Sequence, residues 1–166
     1  VKDSGVKTFI IHARKGILKG LSPRQNRNIP PLNYQKVYSI KDDFPELEII
    51  INGGIKNISE AKNHLNYVDG VMLGRAAYDD PFMLSDIDSE IYANTKIEVS
   101  RKELLSEYLD YVHLMTKKGY DLKIMLKHVF GLKKGEKDAK RFRVKVAEIM
   151  NSSSLVENKD ELLSMV

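Results

Sequence analysis

Cysteine is absent from the 166-residue chain. Its absence excludes disulfide stapling and thiolate metal sites, and it is compatible with a reducing compartment. No stretch approaches the roughly 18 consecutive apolar residues of a membrane-spanning helix. The opening Val1-Lys2-Asp3-Ser4 carries no apolar core of a secretory leader. There is no internal repeat, and the serine run Ser152-Ser153-Ser154 is the single low-complexity tract. The isolated His64 and His113 make no metal-ligand set, so no metal is expected. Acids are scarce in two places. Residues 12–27 contain none beside Arg14, Lys15, Lys19, Arg24 and Arg27, and residues 117–145 hold eleven Lys or Arg against Asp121, Glu136 and Asp138. The chain as a whole is only mildly basic at +4, so two concentrated patches of one sign point to a polyanionic partner.

What is present is a globular composition, 42% hydrophobic, in a length that suits one ordinary domain or two small ones. The most informative feature is a pair of glycine turns, each closing a short apolar run. Glu48-Ile49-Ile50-Ile51 leads into Asn52-Gly53-Gly54, and Gly70-Val71-Met72-Leu73 leads into Gly74-Arg75. An amphipathic segment at 58–65 between them is long enough for one crossover helix. Parallel strands that end side by side in glycines let backbone N–H groups approach an anion, and Arg75 adds a forked cationic donor. The last two strands of a (β/α)₈ barrel hold a phosphate in this way.

The remaining pattern extends the same reading. Residues 7–11 form an apolar run without alternation, which predicts a strand buried on both faces. His12 stands at its C-terminal end. A long loop with two glycines and three prolines follows over 16–32, a length that marks functional or disordered segments. Asn33 caps a predicted helix over 33–43, with Tyr34, Val37, Tyr38 and Ile40 on one side and Pro45 beyond its end. Strands over 47–51 and 71–73 flank a helix whose start, Asn57-Ile58-Ser59-Glu60, has capping-box spacing. Strand and helix thus alternate to about residue 78, the signature of a parallel sheet. Asp79-Asp80-Pro81 breaks the pattern. From Ser100, with its own capping box to Glu103, three apolar stripes predict helices: Leu104, Tyr108, Val112 and Met115; Leu122, Met125, Leu126 and Val129; Ala139, Phe142, Val146 and Ile149. A last helical piece follows the serine linker near 160–165, and this half reads as a small antiparallel helical bundle.

Three strands cannot close a barrel. The expectation is therefore that the chain is the C-terminal part of a longer polypeptide, or that a partner supplies the missing strands.

Together the residues His12-Ala13-Arg14-Lys15, Gly20-Leu21-Ser22-Pro23-Arg24-Gln25-Asn26-Arg27 with Pro30-Pro31-Leu32, Ile51-Asn52-Gly53-Gly54-Ile55, and Asp69-Gly70-Val71-Met72-Leu73-Gly74-Arg75 resemble the tRNA-dihydrouridine synthases, closest to their A-type subfamily. The similarity is dense over 9–84 and looser through the helical half. It implies an α/β fold in which the chain supplies the last three strands of a TIM (β/α)₈ barrel followed by an all-α domain: 1–85 as the C-terminal part of a flavin-binding barrel, 98–166 as a helical tRNA-binding domain. Members reduce tRNA uridines to 5,6-dihydrouridine. Hydride passes from reduced FMN, a cysteine acts as general acid, and NADPH recharges the flavin.

Residue by residue, the resemblance implies that His12 touches the flavin, that Asn52, Gly53 and Gly54 form the first phosphate turn, and that Gly74 and Arg75 form the second. Arg24 and Arg27, and Lys140 and Arg143 in the third of those helices, match positions that contact tRNA; each pair is spaced to face one way on a helix. Arg14 and Lys15 could line either the flavin or the RNA cleft. No catalytic residue carries over, because the acid cysteine lies outside this chain. About half the flavin site would remain, chiefly its phosphate end, so these residues alone are expected neither to hold flavin tightly nor to turn over. A cytoplasmic enzyme with tRNA as partner and no membrane association is the expectation. The alternatives are a non-catalytic tRNA-binding module, or another FMN- or phosphate-binding barrel enzyme acting on a small molecule.

Overall fold

The element order is strand, helix, strand, helix, strand, then helices alone. The computed structural model describes residues 5–95, 98–152 and 155–166, so Ser153 and Ser154 of the expected linker lie outside the described residues. The chain divides into two compact units, 1–76 and 77–166. Residues 77–85, which the sequence groups with the barrel strands, cluster with the second unit.

The first unit runs β1 (Thr8–His12), α1 (Pro23–Asn26), α2 (Tyr34–Asp43), β2 (Glu48–Asn52), α3 (Ile58–Leu65) and β3 (Gly70–Met72). The sheet is parallel in the order β1-β2-β3. Local chemistry sets the helix ends. The Asn33 side chain accepts from Lys36 N at the start of α2. Asn57 does the same for α3 from Glu60 N, while the Glu60 carboxylate reaches back to Lys56 N, one residue earlier than a capping box requires.

Register decides what each face of the sheet does. Ile49 and Ile51 of β2 are wholly buried, as are Val37 of α2, a helix that packs on β2, and Ala61 of α3, which packs on β3. The two helices neighbour each other, since Tyr38 of α2 hydrogen-bonds His64 of α3. They therefore cover one face only. The other face carries Ile10 at 54% and Met72 at 39% exposure, with His12 and Asn52 aligned on it by the pairings Ile10↔Ile50 and His12↔Asn52. This corrects the expected burial of β1 on both faces: β1 is an edge strand of the sheet, and no element among the described residues covers its Ile10 side. Successive parallel strands with both crossovers on one face are singly wound.

After β3 comes α4 (Arg75–Asp79). The second unit continues with a 3₁₀ turn at Pro81–Asp86, α5 (Ile87–Glu90), α6 (Arg101–Lys117), α7 (Leu122–Leu126) with a 3₁₀ turn at Lys127–Val129, α8 (Ala139–Ser152) and α9 (Leu155–Ser164). At Ser100 the capping box forms in full. Gly119, at φ +90, closes α6 with the paired bonds Gly119 N to Thr116 O and Tyr120 N to Met115 O of a Schellman turn.

Leu105, Leu109, Val112, Leu126, Phe142, Val146, Ile149 and Leu162 share one core. Of the stripe predicted on α6, Val112 is wholly buried and Tyr108 packs against this core, while Leu105 and Leu109, one position along from Leu104 and Tyr108, fill its interior. Leu105 and Leu109 are buried, whereas Leu104 is 37% exposed. Leu104 and Tyr108 instead line an apolar cavity of about 290 Å³ with Phe82 and His128. No helix among the described residues is long and apolar enough to cross a membrane.

Candidate cofactor-phosphate and RNA-binding site

Parallel pairing brings the three strand tips to one end of the sheet. His12 is in register with Asn52, and Asn52 with Met72. The Asn52 amide also donates across to Met72 O at 3.3 Å. Both glycine turns therefore leave the sheet at the same end, and His12, Asn52, Gly53, Gly54, Gly74 and Arg75 all stand at the C-terminal edge.

Backbone sterics explain the first two glycines. Gly53 has φ +120, and a Cβ there would stand 3.1 Å from His12 Cε1. Gly54 has φ +75, and its Cβ would meet Leu32 Cδ1 at 2.4 Å and the Tyr34 hydroxyl at 3.2 Å. Neither conformation suits an L-residue, so the turn needs both glycines. The Tyr34 hydroxyl also donates to Gly53 O at 2.9 Å, holding the turn from the α2 side. Gly74 differs: its φ is ordinary, and nothing lies within 4 Å of a Cβ built there. Open space, rather than backbone need, surrounds it.

The long loop returns to this edge. Asn33 N donates to Ala13 O at 2.7 Å, and Arg14 forms an antiparallel bridge with Leu32. Ser22 opens the helical turn α1 with a complete capping box. Arg24 lies within that turn and Arg27 is its C-cap, both exposed. The Arg14 guanidinium is directed into the loop, donating to Pro30 O and, at 3.4 Å, to Asn28 O. Its Nε is buried without a partner. Arg75 Nη1 donates to Asn28 Oδ1 at 2.7 Å.

The field at the strand tips is positive. Burial lowers the His12 pKa, and the cations Arg14 and Arg75 lower it further. A neutral imidazole flanked by two guanidiniums is an environment that an anion would relieve.

Lys140 and Arg143 sit on α8 in the second unit. Both are exposed, while Phe142, Val146 and Ile149 take the buried side. Neither has an acidic partner among the described residues, whereas Lys145 pairs with Glu161 at 2.5 Å and Arg101 with Glu136 at 3.2 Å. Two of the segment's three acids are committed elsewhere: Asp121 caps α7 and Glu136 holds Arg101.

Sequence reasoning missed Tyr34, Asn28 and Leu32 as members of this edge. Only the prolines beside Leu32 hinted at a fixed loop.

Comparison with known proteins identifies the family. A family model described as dihydrouridine synthase (Dus) matches residues 1–165. The chain belongs to the dihydrouridine synthase family. A protein of Pseudomonas putida named tRNA-dihydrouridine(20/20a) synthase is 43% identical over 143 residues, covering 86% of this chain and 43% of that one. Proteins of the same name from Vibrio cholerae and Synechocystis are 42% and 43% identical, over 89% and 86% of this chain. The chain spans less than half the length of these relatives, 43% to 45%.

The titrations carry a prediction for this family member. Burial lowers the His64 pKa, opposed by Glu60, and His12 is lowered as described. For both, the unfolded chain binds protons more readily, so stability is full above the unfolded value of 6.5 and is lost as pH falls below it. Asp69 acts in a lower window. Its Oδ2 accepts from Ile49 N and Lys41 Nζ, both at 2.8 Å. These bonds hold its pKa below 3.8, so its contribution persists until pH falls through that lowered value. Thermal melts should fall between pH 7.5 and 5.5, then fall again in strong acid. A flat profile across the first window would contradict the two histidine assignments.

Proposed function

We propose that the protein works in reducing tRNA uridine to 5,6-dihydrouridine, with FMN as its flavin and NADPH as the reductant. The observation that carries this reading is the meeting of two glycine turns and Arg75 at one end of adjacent parallel strands, in a chain of this family. The names of its relatives specify positions 20 and 20a of tRNA.

The residues present fit the phosphate end of FMN. Gly53 and Gly54 hold a positive-φ turn, braced by Leu32 and Tyr34, that no L-residue would keep, Gly74 has open space at its own Cβ position, Arg14 Nε is an orphaned buried donor, and His12 feels Arg14 and Arg75 with no acid beside them among the described residues. Asn52, Gly53, Gly54, Gly74 and Arg75 would hold the phosphate, with His12 against the flavin. The flavin, when bound, supplies the reducing equivalents to the uracil ring. On this reading the uncovered face with Ile10 and Met72 is the interior of a (β/α)₈ barrel, since a barrel's helices all lie outside. Residues 1–85 then serve the A-type flavin barrel and 98–166 form a small helical bundle. Arg24 on α1 and Arg27 at its C-cap, and Lys140 and Arg143 on α8, contact the tRNA backbone, in the cytoplasm.

The test uses the intact protein with FMN, NADPH and unmodified tRNA, assayed for dihydrouridine. Product should form. Replacing Arg24 and Arg27, or Lys140 and Arg143, by alanine should weaken tRNA binding and reduce the slope of log affinity against log salt by about 1.4–1.8 per pair. Steeply salt-dependent tRNA binding without flavin or product would replace this reading by a non-catalytic RNA-binding one. Flavin binding without tRNA binding would replace it by small-molecule chemistry.

A further inference from the structure

We propose that Asn28 is a positioning residue that aims the Arg75 guanidinium at the cofactor phosphate. The inference rests on the phosphate reading above. Arg75 begins the short α4, is exposed, and has no acidic partner among the described residues. An exposed arginine so placed would sample many rotamers, and fixing it on binding would weaken the anion contact. Asn28 Oδ1 accepts from Arg75 Nη1 at 2.7 Å. One of the five N–H donors is thereby fixed, and the rest of the planar fork stays available to an anion.

Asn28 is itself held. Its N–H donates to Gln25 O at 3.0 Å, its carbonyl accepts from Arg14 Nη1 at 3.4 Å, and Ile29 N donates to the same Gln25 carbonyl at 2.8 Å. The acceptor therefore sits on a braced turn rather than a free loop. Two cations converge on this one residue, and it is a neutral amide. A carboxylate there would neutralise Arg75; the amide orients the charge without cancelling it. His12 feels both guanidiniums, which places Asn28 at the rim of the strand-tip site.

The experiment compares FMN with riboflavin, which lacks the phosphate, by titrating each into the flavin-free intact protein. The ratio of their affinities reports the phosphate contacts alone. Asn28→Ala should lower that ratio about 3- to 10-fold, with riboflavin affinity and melting temperature unchanged. Arg75→Ala should lower it further, and Asn28→Ala should add nothing in the Arg75→Ala background. If Arg75→Ala leaves the ratio unchanged, or flavin does not bind, the phosphate reading fails and this inference with it. If Arg75→Ala lowers the ratio but Asn28→Ala does not, or lowers it equally without Arg75, Asn28 has no such role.

Discussion

Gly54→Ala is expected to lower both the melting temperature and the FMN affinity of the intact protein. Two costs add. A β-carbon at φ +75 disfavours the backbone by about 1–2 kcal/mol, and overpacking a filled site adds about 1–3 kcal/mol. The Cβ would stand 2.4 Å from Leu32 Cδ1, so Leu32 must move. Its other methyl already approaches the Gly53 position at 3.2 Å, which limits where it can go. Leu32 is also bridged to Arg14, so the displacement passes into the loop that carries Arg24 and Arg27. FMN affinity would fall by whatever part of this strain the free turn relieves by leaving its phosphate-binding geometry.

Gly74→Ala provides the contrast. With an ordinary φ and nothing within 4 Å of its Cβ, it should melt like the unaltered protein. It should nonetheless lose FMN affinity if a phosphate lies against it. Unchanged FMN binding by Gly74→Ala would remove Gly74 from the site, and an unchanged melt for Gly54→Ala would mean that the turn relaxes freely.

The contrast between these glycines also shows what a sequence can and cannot disclose. That both close apolar runs was visible, because strand ends and turn residues are local signals. So were the caps at Asn33 and Ser100, where one side chain meets an N–H three residues away. The need for glycine at 53 and 54, and its absence at 74, depended on Leu32 and Tyr34 arriving from another segment. Asn28 was invisible for the same reason: its partner Arg75 is 47 positions away. On α6, Leu104, Leu105, Tyr108 and Leu109 offer two overlapping stripes, and helical spacing alone cannot choose between them. Packing against Phe142 and Leu162 in the shared core selected Leu105 and Leu109. The 3₁₀ turn and α5 between 81 and 90 were read as a break, because Asp80-Pro81 stops one helix as readily as it starts another. Burial of β1 was misjudged because an unbroken apolar run says that both faces are suited to burial, not that this chain supplies the cover.

Phe142→Ala is expected to destabilise the second unit by about 3–5 kcal/mol, the usual range for a wholly buried aromatic. Phe142 is 0% exposed and packs in one core with Leu105, Leu109, Leu126, Val146 and Leu162, contributed by α6, α7, α8 and α9. No single neighbour can collapse into the space without leaving another contact. The melt of this unit should therefore fall by many degrees. Lys140 and Arg143 flank Phe142 on the opposite, solvent side of α8, and their joint replacement by alanine should change stability by no more than about 0.5 kcal/mol per site. The two lesions then separate core from surface along one helix. At a temperature where Phe142→Ala is still folded, it should bind tRNA with an unaltered salt slope, because its cations remain in place. The surface pair should melt normally and lose slope. Equal loss of slope in both would mean that the cations act only through the integrity of α8. A normal melt for Phe142→Ala would mean that the four helices do not share the core that places them.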